Sequence, residues 1–511
     1  MAAANEERFA RVKGAGGWPA CSIEAVLEGA GLRPRDVSAV AVAGLVNPNP
    51  VLRFVRAAQV GWTLDTPETW APRGPVARAV EALQVRSPFP YARSDGLLAH
   101  ALAPLARHAL VRDLGWPEIP SAFLDHHRCH AASAWYTAGW DDGLVLVADG
   151  VGDGLALSVW EGHGAALRRV DAWPHPHSHG LVYATVTALL GFRPFRHEGK
   201  LVGLAAHGDP DAVRVPWPFE GPPRARRLVC GLGPGLRRHL APLAQHRRED
   251  VCAWLQRGLE HDLIALVRAW APRRLALAGG VFANVRLNQR LAEEVESLWV
   301  FPHMGDGGLA VGAALAVAAC PPVAMDTAYL GALPADAPGR LDHPGRIADR
   351  LVEGALVGVC RGRAEVGPRA LGNRSIFADP RSAAVVGRLN AALRRSDFMP
   401  FAPMIRAEAA SRLFRSPSSA AKNLAFMTVT VDATPALCAA CPAVVHVDGT
   451  LRPQVVAPGG FLDDVLAAFE ARTGVPVLLN TSFNLHEEPI VQSWAEAERT
   501  AARAGLGELV G

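Results

Sequence analysis

Two histidines four residues apart, His126 and His130, stand in the segment LDHHRCHAASAW (124–135). The alanines that follow favour helix, and on a helix positions i and i+4 share a face, so both imidazoles would project together. Such a pair can supply two ligands to a transition metal whose other ligands come from elsewhere in the chain, although alone the spacing also arises by coincidence. His127 points off that face and could support the site or touch a substrate. Two aspartates qualify as further ligands. Asp149 follows the apolar run 144–148 and opens DGVGDG. A carboxylate at a strand end, backed by Gly150 and Gly152, can hold a cation while the loop's N–H groups approach a phosphate; an ordinary Asp-Gly turn carries the same signature. Asp306, in FPHMGDGGLAVGAAL (301–315), sits in a glycine turn before an apolar helix and would be a second carboxylate for the same metal.

Other segments suit anions. In HEGKLVGLAAHG (197–208) the glycines permit close backbone approach, Lys200 offers a point charge for a phosphate, and Glu198 could orient it. The spacing is not a Walker pattern, so the signal is generic. Lysine is scarce, however: among 52 basic residues only Lys13, Lys200 and Lys422 are lysines, which makes one inside a glycine-rich motif stand out. The run 275–280 ends in Gly279 and Gly280, which would let a nucleotide lie against the backbone. Asn284 and Asn288 beyond it would share a helical face toward a base or ribose. RGRAEVGPRALGNRSIFADPR (361–381) gathers Arg361, Arg363, Arg369, Arg374 and Arg381 in a stretch broken by Pro368 and glycines. A loop that collects guanidinium groups suits polyphosphate or carboxyphosphate. The segment 389–403 pairs Arg394 and Arg395 with a Pro-Phe-Ala-Pro corner, HVDGTLRPQVV (446–456) adds Arg452 and Gln454, and PVLLNTSFNLHEEPIV (476–491) runs from a strand into Asn480, Thr481, Ser482 and Asn484.

The elements that must position these groups read as α/β. Apolar runs at 37–43, 144–148, 275–278 and 355–360 predict buried strands, several followed by glycine. Between them lie helical patterns, clearest over 250–270, where Val251, Leu255, Leu259, Leu263 and Val267 form one stripe for core packing. Residues 209–235, rich in Pro, Arg and Gly, predict a surface insertion, and 321–345 predicts a domain boundary. A chain of 511 residues has room for two large domains or three smaller ones.

Half of the residues are hydrophobic, which excludes disorder over most of the length. A net charge of +3 gives no argument for nucleic acid. No apolar run approaches the ~20 residues needed to span a bilayer, 309–320 being short and Ala/Gly-rich. The opening MAAANEERFARVK has no apolar core for a signal peptide, so a cytoplasmic location is expected. Of eight cysteines only Cys438 and Cys441 have CxxC spacing, without a second pair, so ordinary reduced cysteines are expected.

In order along the chain, DHHRCHAASAW, ADGVGDG, HEGKLVGLAAHG, AGGVFANVRLNQR, FPHMGDGGLAVGAAL, GPRALGNRSIFADPR, FMPFAP, HVDGTLRPQ and LNTSFNLHEEPIV resemble the nodulation-protein-U/cephamycin-type O-carbamoyltransferase family. The resemblance covers nearly the whole chain. It implies an actin/Hsp70-like (Kae1-like) N-terminal lobe over 1–330 and a smaller YrdC-like α/β domain over 350–511. The second would make carbamoyl-adenylate from carbamoyl phosphate and ATP, with Mg2+ accompanying the ATP. The first would pass the carbamoyl group to a hydroxyl of a small-molecule or sugar acceptor in natural-product or glycoconjugate biosynthesis, with the help of a divalent metal, iron in such enzymes. Carried over residue by residue, the metal positions are His126, His130, Asp149 and Asp306, and the catalytic ones Lys200, Arg369, Arg394 and Arg452. Nucleotide or substrate contacts would fall to Gly150, Gly152, Gly279, Gly280, Asn284, Arg374, Asn480, Ser482 and Asn484. No nucleic acid or membrane partner is implied, and a homodimer is compatible.

There are departures from the family pattern. Its opening strand–turn–strand, with a His-Asp pair, has no counterpart before EERFARVK, which implies either a start codon upstream, the favoured reading, or an impaired N-terminal site. Arg394 replaces a common lysine, Ser396 and Met399 replace common arginines, and His486-Glu487 occupy a turn that is often Arg-Gly. The alternatives are an enzyme related to tRNA threonylcarbamoylation, which would want a basic surface for RNA, and a nucleotide-binding homologue impaired in catalysis.

Overall fold

The computed structural model describes residues 1–14, 19–44, 119–335, 337, 343–395 and 401–511; Ser396 and Met399 lie outside them. The fold is mixed α/β and falls into two compact units, each assembled from separated stretches of chain. One comprises Pro34–Asn284 and Met304–Ala324, the other Met1–Arg33, Val285–His303 and Met325–Gly511. A single cut within 321–345 therefore does not describe them, because Met1–Arg33 and Val285–His303 group with the C-terminal stretch.

In the first unit, strands Asp142–Gly152, Leu155–His163 and Ala166–Pro174 form an antiparallel meander, and Arg274–Ala278 lies parallel to the first with Leu144 opposite Leu275. The strand expected over 144–148 is longer at both ends. It runs through Asp149 to Gly152 and turns at Asp153 and Gly154, whose φ values of 46° and 85° make the two-residue hairpin turn that matches strand twist. DGVGDG is thus a strand end plus a turn, not a loop. The ladder is irregular between Ala148 and Gly152, and such bulges re-aim side chains.

Helix His126–Ala138 follows strand Ser121–Leu124, which pairs in parallel with Val40–Ala43, a shorter strand than the one expected over 37–43. Ala131, Ala132, Ala134 and Ala138 are all buried, so the alanine run does more than favour helix. It lets neighbours approach on every side. The helix Leu309–Ala318 comes closest at Gly312, where an added Cβ would lie 1.8 Å from the Cys129 carbonyl oxygen. The long helix Arg248–Trp270 buries the stripe Val251, Leu255, Leu259, Leu263 and Val267. Residues 209–235 are no loose surface insertion. Val213, Val215, Phe219 and Leu228 are buried, the Trp217 indole N–H donates to Asp262 of the long helix at 2.8 Å, and the Trp254 indole N–H donates to the Val215 carbonyl at 3.0 Å.

The second unit is built on a six-stranded sheet in the order Gln454–Val456, Ala402–Arg406, Val477–Ser482, Arg374–Ala378, Val357–Cys360 and Glu508–Val510. Helices Pro344–Val352 and Phe461–Thr473 cover one face, and Ile347, Leu351, Val357, Phe377, Leu466, Phe469 and Leu478 share its core. The strand expected over 355–360 begins only at Val357, after the turn at Gly354 (φ 86°).

Candidate functional site

In the first unit four side chains converge. His126 Nε2 lies 3.0 Å from Asp149 Oδ2 and 3.5 Å from Asp306 Oδ1; His130 Nε2 lies 3.7 Å and 3.6 Å from the same two oxygens. One ligand atom from each of the four falls within 4.8 Å of all the others. Local chemistry fixes each of them. Asp125 caps the histidine helix by accepting the Arg128 N–H at 2.8 Å, and the His126 N–H donates to the Asp153 carboxylate of the hairpin turn at 2.8 Å. A Cβ on Gly152 would lie 2.2 Å from the His126 ring, so this glycine makes room for a ligand. The Gly280 N–H donates to Asp149 Oδ1 at 3.3 Å, and the Ser178 hydroxyl donates to the Asp149 carbonyl at 3.1 Å. Asp306 opens a short 3-10 turn ahead of helix Leu309–Ala318 and its side chain is exposed.

The electrostatics follow from this packing. Burial alone would lower the His126 pKa, but hydrogen bonds to Asp149 and Asp306 raise it well above the ordinary histidine value. Burial likewise works to raise Asp149, and the two imidazoles hold it well below the usual carboxylate range. Neither ring nitrogen of buried His130 has a hydrogen-bond partner among the described residues. Leaving such donors and acceptors unpaired is costly, and a cation bound among these four residues would engage the Nε2. Two imidazoles and two carboxylates suit a divalent first-row metal, and the residues present fit one.

His127 has no share in this centre. Its Nδ1 meets the Ser158 hydroxyl at 2.8 Å and its Nε2 the Leu155 carbonyl at 3.2 Å, and burial pulls its pKa down to about 3. The residues expected to touch a nucleotide are held by protein. Gly279 (φ 105°) donates its N–H to the Met304 carbonyl at 2.7 Å, and a Cβ there would lie 2.2 Å from the Ala148 carbonyl oxygen. Asn284, lying before the helix Val285–Ala292 and not on its face, exchanges two hydrogen bonds with Gln256, at 2.8 and 3.1 Å. Gly150 faces the Phe195 ring, 3.4 Å from where its Cβ would stand. Lys200 stands in the first turn of helix Glu198–Ala205, not in a glycine loop, with its ammonium 5.9 Å from the Phe192 ring centroid. Glu198 does not reach back to orient it; its carboxylate accepts the Phe195 N–H.

The second unit holds an arginine site, though not one made by the five arginines as a group. Arg361 stacks on Phe461 at 3.5 Å, Arg363 donates to the carbonyls of Gly331 and Leu330, and Arg381 pairs with Asp379. Arg374 is wholly buried, its guanidinium donating to the carbonyls of Arg361, Gly362 and Asn373 at 2.6–3.2 Å, so it ties loops together instead of presenting itself to a ligand. Arg369 differs. Its Nε is buried without a partner among the described residues, as is the Nε of Arg452. Burial lowers Arg369 to about 10, and burial followed by the charge of Arg369 lowers Arg452 further. Asn480 links their segments, donating to the Ala370 carbonyl at 3.1 Å and to Gln454 Oε1 at 2.9 Å. Asn484 closes its own turn, donating to the carbonyls of Leu485 and Glu488.

Arg394, the expected catalytic cation, is exposed. It caps helix Ala384–Leu393 in left-handed conformation (φ 57°), and that turn sends Arg395 inward instead. Arg395 donates to the Thr481 hydroxyl at 2.6 Å and the Ser482 hydroxyl at 2.8 Å, and burial lowers its pKa to about 10. Adjacency to Arg394 was its only signal in the sequence. Arg369, Arg452 and Arg395 are half-buried, two of them with an Nε that has no partner among the described residues, and such guanidinium groups suit an anion.

Comparison with known proteins matches the chain in two parts. A family model described as the carbamoyltransferase N-terminus matches residues 105–216 and 236–315, and one described as the carbamoyltransferase C-terminus matches 348–510. Nodulation protein NolO of Bradyrhizobium diazoefficiens is 37% identical over 76% of this chain and 77% of its own length. Nodulation protein NolNO of Sinorhizobium fredii is 32% identical over 100% of this chain and 76% of its own. The 3'-hydroxymethylcephem-O-carbamoyltransferase of Amycolatopsis lactamdurans is 29% identical over 75% and 78%. With both family domains matched and relatives of this identity across most of its length, the chain belongs to the carbamoyltransferase family.

Proposed function

We propose that the chain is an O-carbamoyltransferase that draws its carbamoyl group from carbamoyl phosphate, activates it with ATP as carbamoyl-adenylate, and passes it to a hydroxyl of a small-molecule or sugar acceptor. The observation that carries the reading is the presence of two constellations in one member of the family: a His-His-Asp-Asp cluster in one unit and, in the other, the half-buried Arg369, Arg452 and Arg395, none of them ion-paired among the described residues. Nitrogen donates into the carbonyl of a carbamoyl group and makes it a weak electrophile, so transfer to a hydroxyl needs a good leaving group. Water would cleave carbamoyl phosphate to phosphate and carbamate; a carbamate oxygen would attack the α-phosphorus of ATP and expel pyrophosphate. Transfer to the acceptor would then release AMP. Arg369, Arg452 and Arg395 suit the first part, because two anions must be brought together against their repulsion. Ser482 and Asn480 line the same strand end.

In the other unit His126, His130, Asp149 and Asp306 would hold a divalent metal, which we assign as iron, and which when bound supplies Lewis acidity toward a developing oxyanion. Gly280 and Ser178 fix Asp149, and the hairpin turn fixes His126. On this reading the metal unit is the core of an actin/Hsp70-like lobe, with Lys200 as a phosphate contact in it, and residues 350–511 form a YrdC-like domain. The acceptor is small; we propose neither a nucleic-acid nor a membrane partner, and among the described residues no helix is long and apolar enough to cross a membrane. The test is carbamoyl-phosphate-dependent exchange of labelled pyrophosphate into ATP by the iron-loaded protein. Exchange that is absent, or that proceeds without carbamoyl phosphate, would sink the proposal.

A further inference from the structure

We propose that Arg8 is a positioning residue for the arginine site, acting through Gly367 and Glu365 on the loop that carries Arg369. The inference rests on the activation reading above. Helix Glu6–Ala10 groups with the unit that holds the arginine site, although it is 359 positions from Gly367 in sequence. Its Arg8 is only 3% exposed, and Nη2 donates to the Gly367 carbonyl at 3.2 Å, two residues before Arg369. Gly367 has φ 117°, a conformation open to glycine, and a Cβ there would sit 3.0 Å from the Pro302 carbonyl oxygen, so the direction of its carbonyl is fixed.

The other end of the loop is held by a carboxylate. Glu365 is 1% exposed, and its Oε1 accepts the N–H groups of Leu371, Asn373 and Arg374 at 2.7, 2.8 and 3.1 Å. Its Oε2 and Arg8 Nη1 are both buried with no hydrogen-bond partner among the described residues, and both residues line one small cavity with Asn5, Phe9, Ala364 and Gln492. Burial depresses the Arg8 pKa, and the Glu365 charge works against that. The loop is therefore gripped at Gly367 by Arg8 and at 371–374 by Glu365, with Arg369 between the two grips. The same short helix also holds a second part of the site. Arg11, in left-handed conformation at its end, donates to the carbonyls of Pro489 and Ile490 at 2.9 and 2.8 Å and pairs with Glu496 at 3.2 Å, securing the segment that follows Ser482.

A residue that merely stabilises the fold would change the melting temperature and leave the kinetics of the folded fraction alone. A positioning residue moves the kinetics of the folded protein. In the full-length, iron-loaded chain, carbamoyl-phosphate-dependent ATP–pyrophosphate exchange is measured with KM and kcat separated, alongside the melting temperature. Arg8→Ala is expected to lose about 100-fold in kcat/KM for carbamoyl phosphate, the scale of a misplaced catalytic group, and to recover part of it with methylguanidinium. Arg8→Lys, which keeps the charge but not the guanidinium that donates to Gly367, is expected to melt like the wild type and still lose about tenfold. Wild-type kcat/KM in either folded variant, or a loss that methylguanidinium leaves untouched, overturns the role of Arg8 while the activation reading stands. No exchange in the wild type overturns that reading and takes this inference with it.

Discussion

His127 and His130 share one helix and nearly identical burial, yet they differ in their partners. His127 is satisfied by Ser158 and Leu155 and is held neutral, its pKa near 3. Its folded pKa lies below the unfolded value, so the stability it contributes is present above about pH 6.5 and is lost as pH falls toward 3, at about 1.4 kcal/mol per unit. His127→Gln should flatten this dependence by one proton. Urea titrations at pH 6.5 and pH 5 should show the wild type losing about 2 kcal/mol more than the variant over that interval; equal losses would refute the assignment. Among the arginines, Arg395→Met should abolish pyrophosphate exchange, while Arg394→Met should stay within about twofold of wild type, as for a surface change. The histidine pair was legible in the sequence because helical spacing survives through its segment. Arg394 and Arg395 were not separable, because the helix ends at Leu393 and a left-handed turn there reverses which of two adjacent side chains faces inward.

At the scale of elements, glycines set how closely backbones and rings approach. Gly152 and Gly279, expected to touch a nucleotide, are closely packed: one lies against the His126 ring and the other against the Ala148 carbonyl. Gly152→Ala would place a methyl group inside that ring, so His126 must turn away. The variant should bind metal at least about tenfold more weakly, the scale seen when support around a metal ligand is lost, and metal analysis after dialysis would read it. Full occupancy would show that the strand yields instead. Strand and helix periods correctly marked the central elements, including the stripe on Arg248–Trp270. They missed the continuation of Asp142–Gly152 through its own aspartate, because Asp and Gly read as turn residues wherever they stand. Residues 209–235 misled for a similar reason: their Trp, Phe and Val side chains are anchored by Asp262 and a helix distant in sequence, which composition does not reveal.

For the whole molecule, the division into two units predicts separable losses. Asp149→Asn should strip the metal and stop transfer to an acceptor while pyrophosphate exchange continues. Arg452→Met should stop exchange and leave metal content unchanged. Parallel metal analysis and exchange assays on both proteins check this, and loss of both functions from either substitution would contradict it. Which stretches build which unit was not legible, because Met1–Arg33 and Val285–His303 carry no local sign of their distant partners.

The bond from Arg8 to Gly367 also bears on how the chain reaches its native state. Closing a loop of 359 positions is entropically costly, and contacts of such separation form late. On dilution from urea, the meander and the histidine helix, whose contacts are mostly nearer in sequence, should regain protection from hydrogen exchange first. The amides of Leu371 and Arg374 should follow only when helix Glu6–Ala10 has docked. Proteolytic susceptibility of that loop would then persist longest, making the region around Arg369 the slowest part of the molecule to mature.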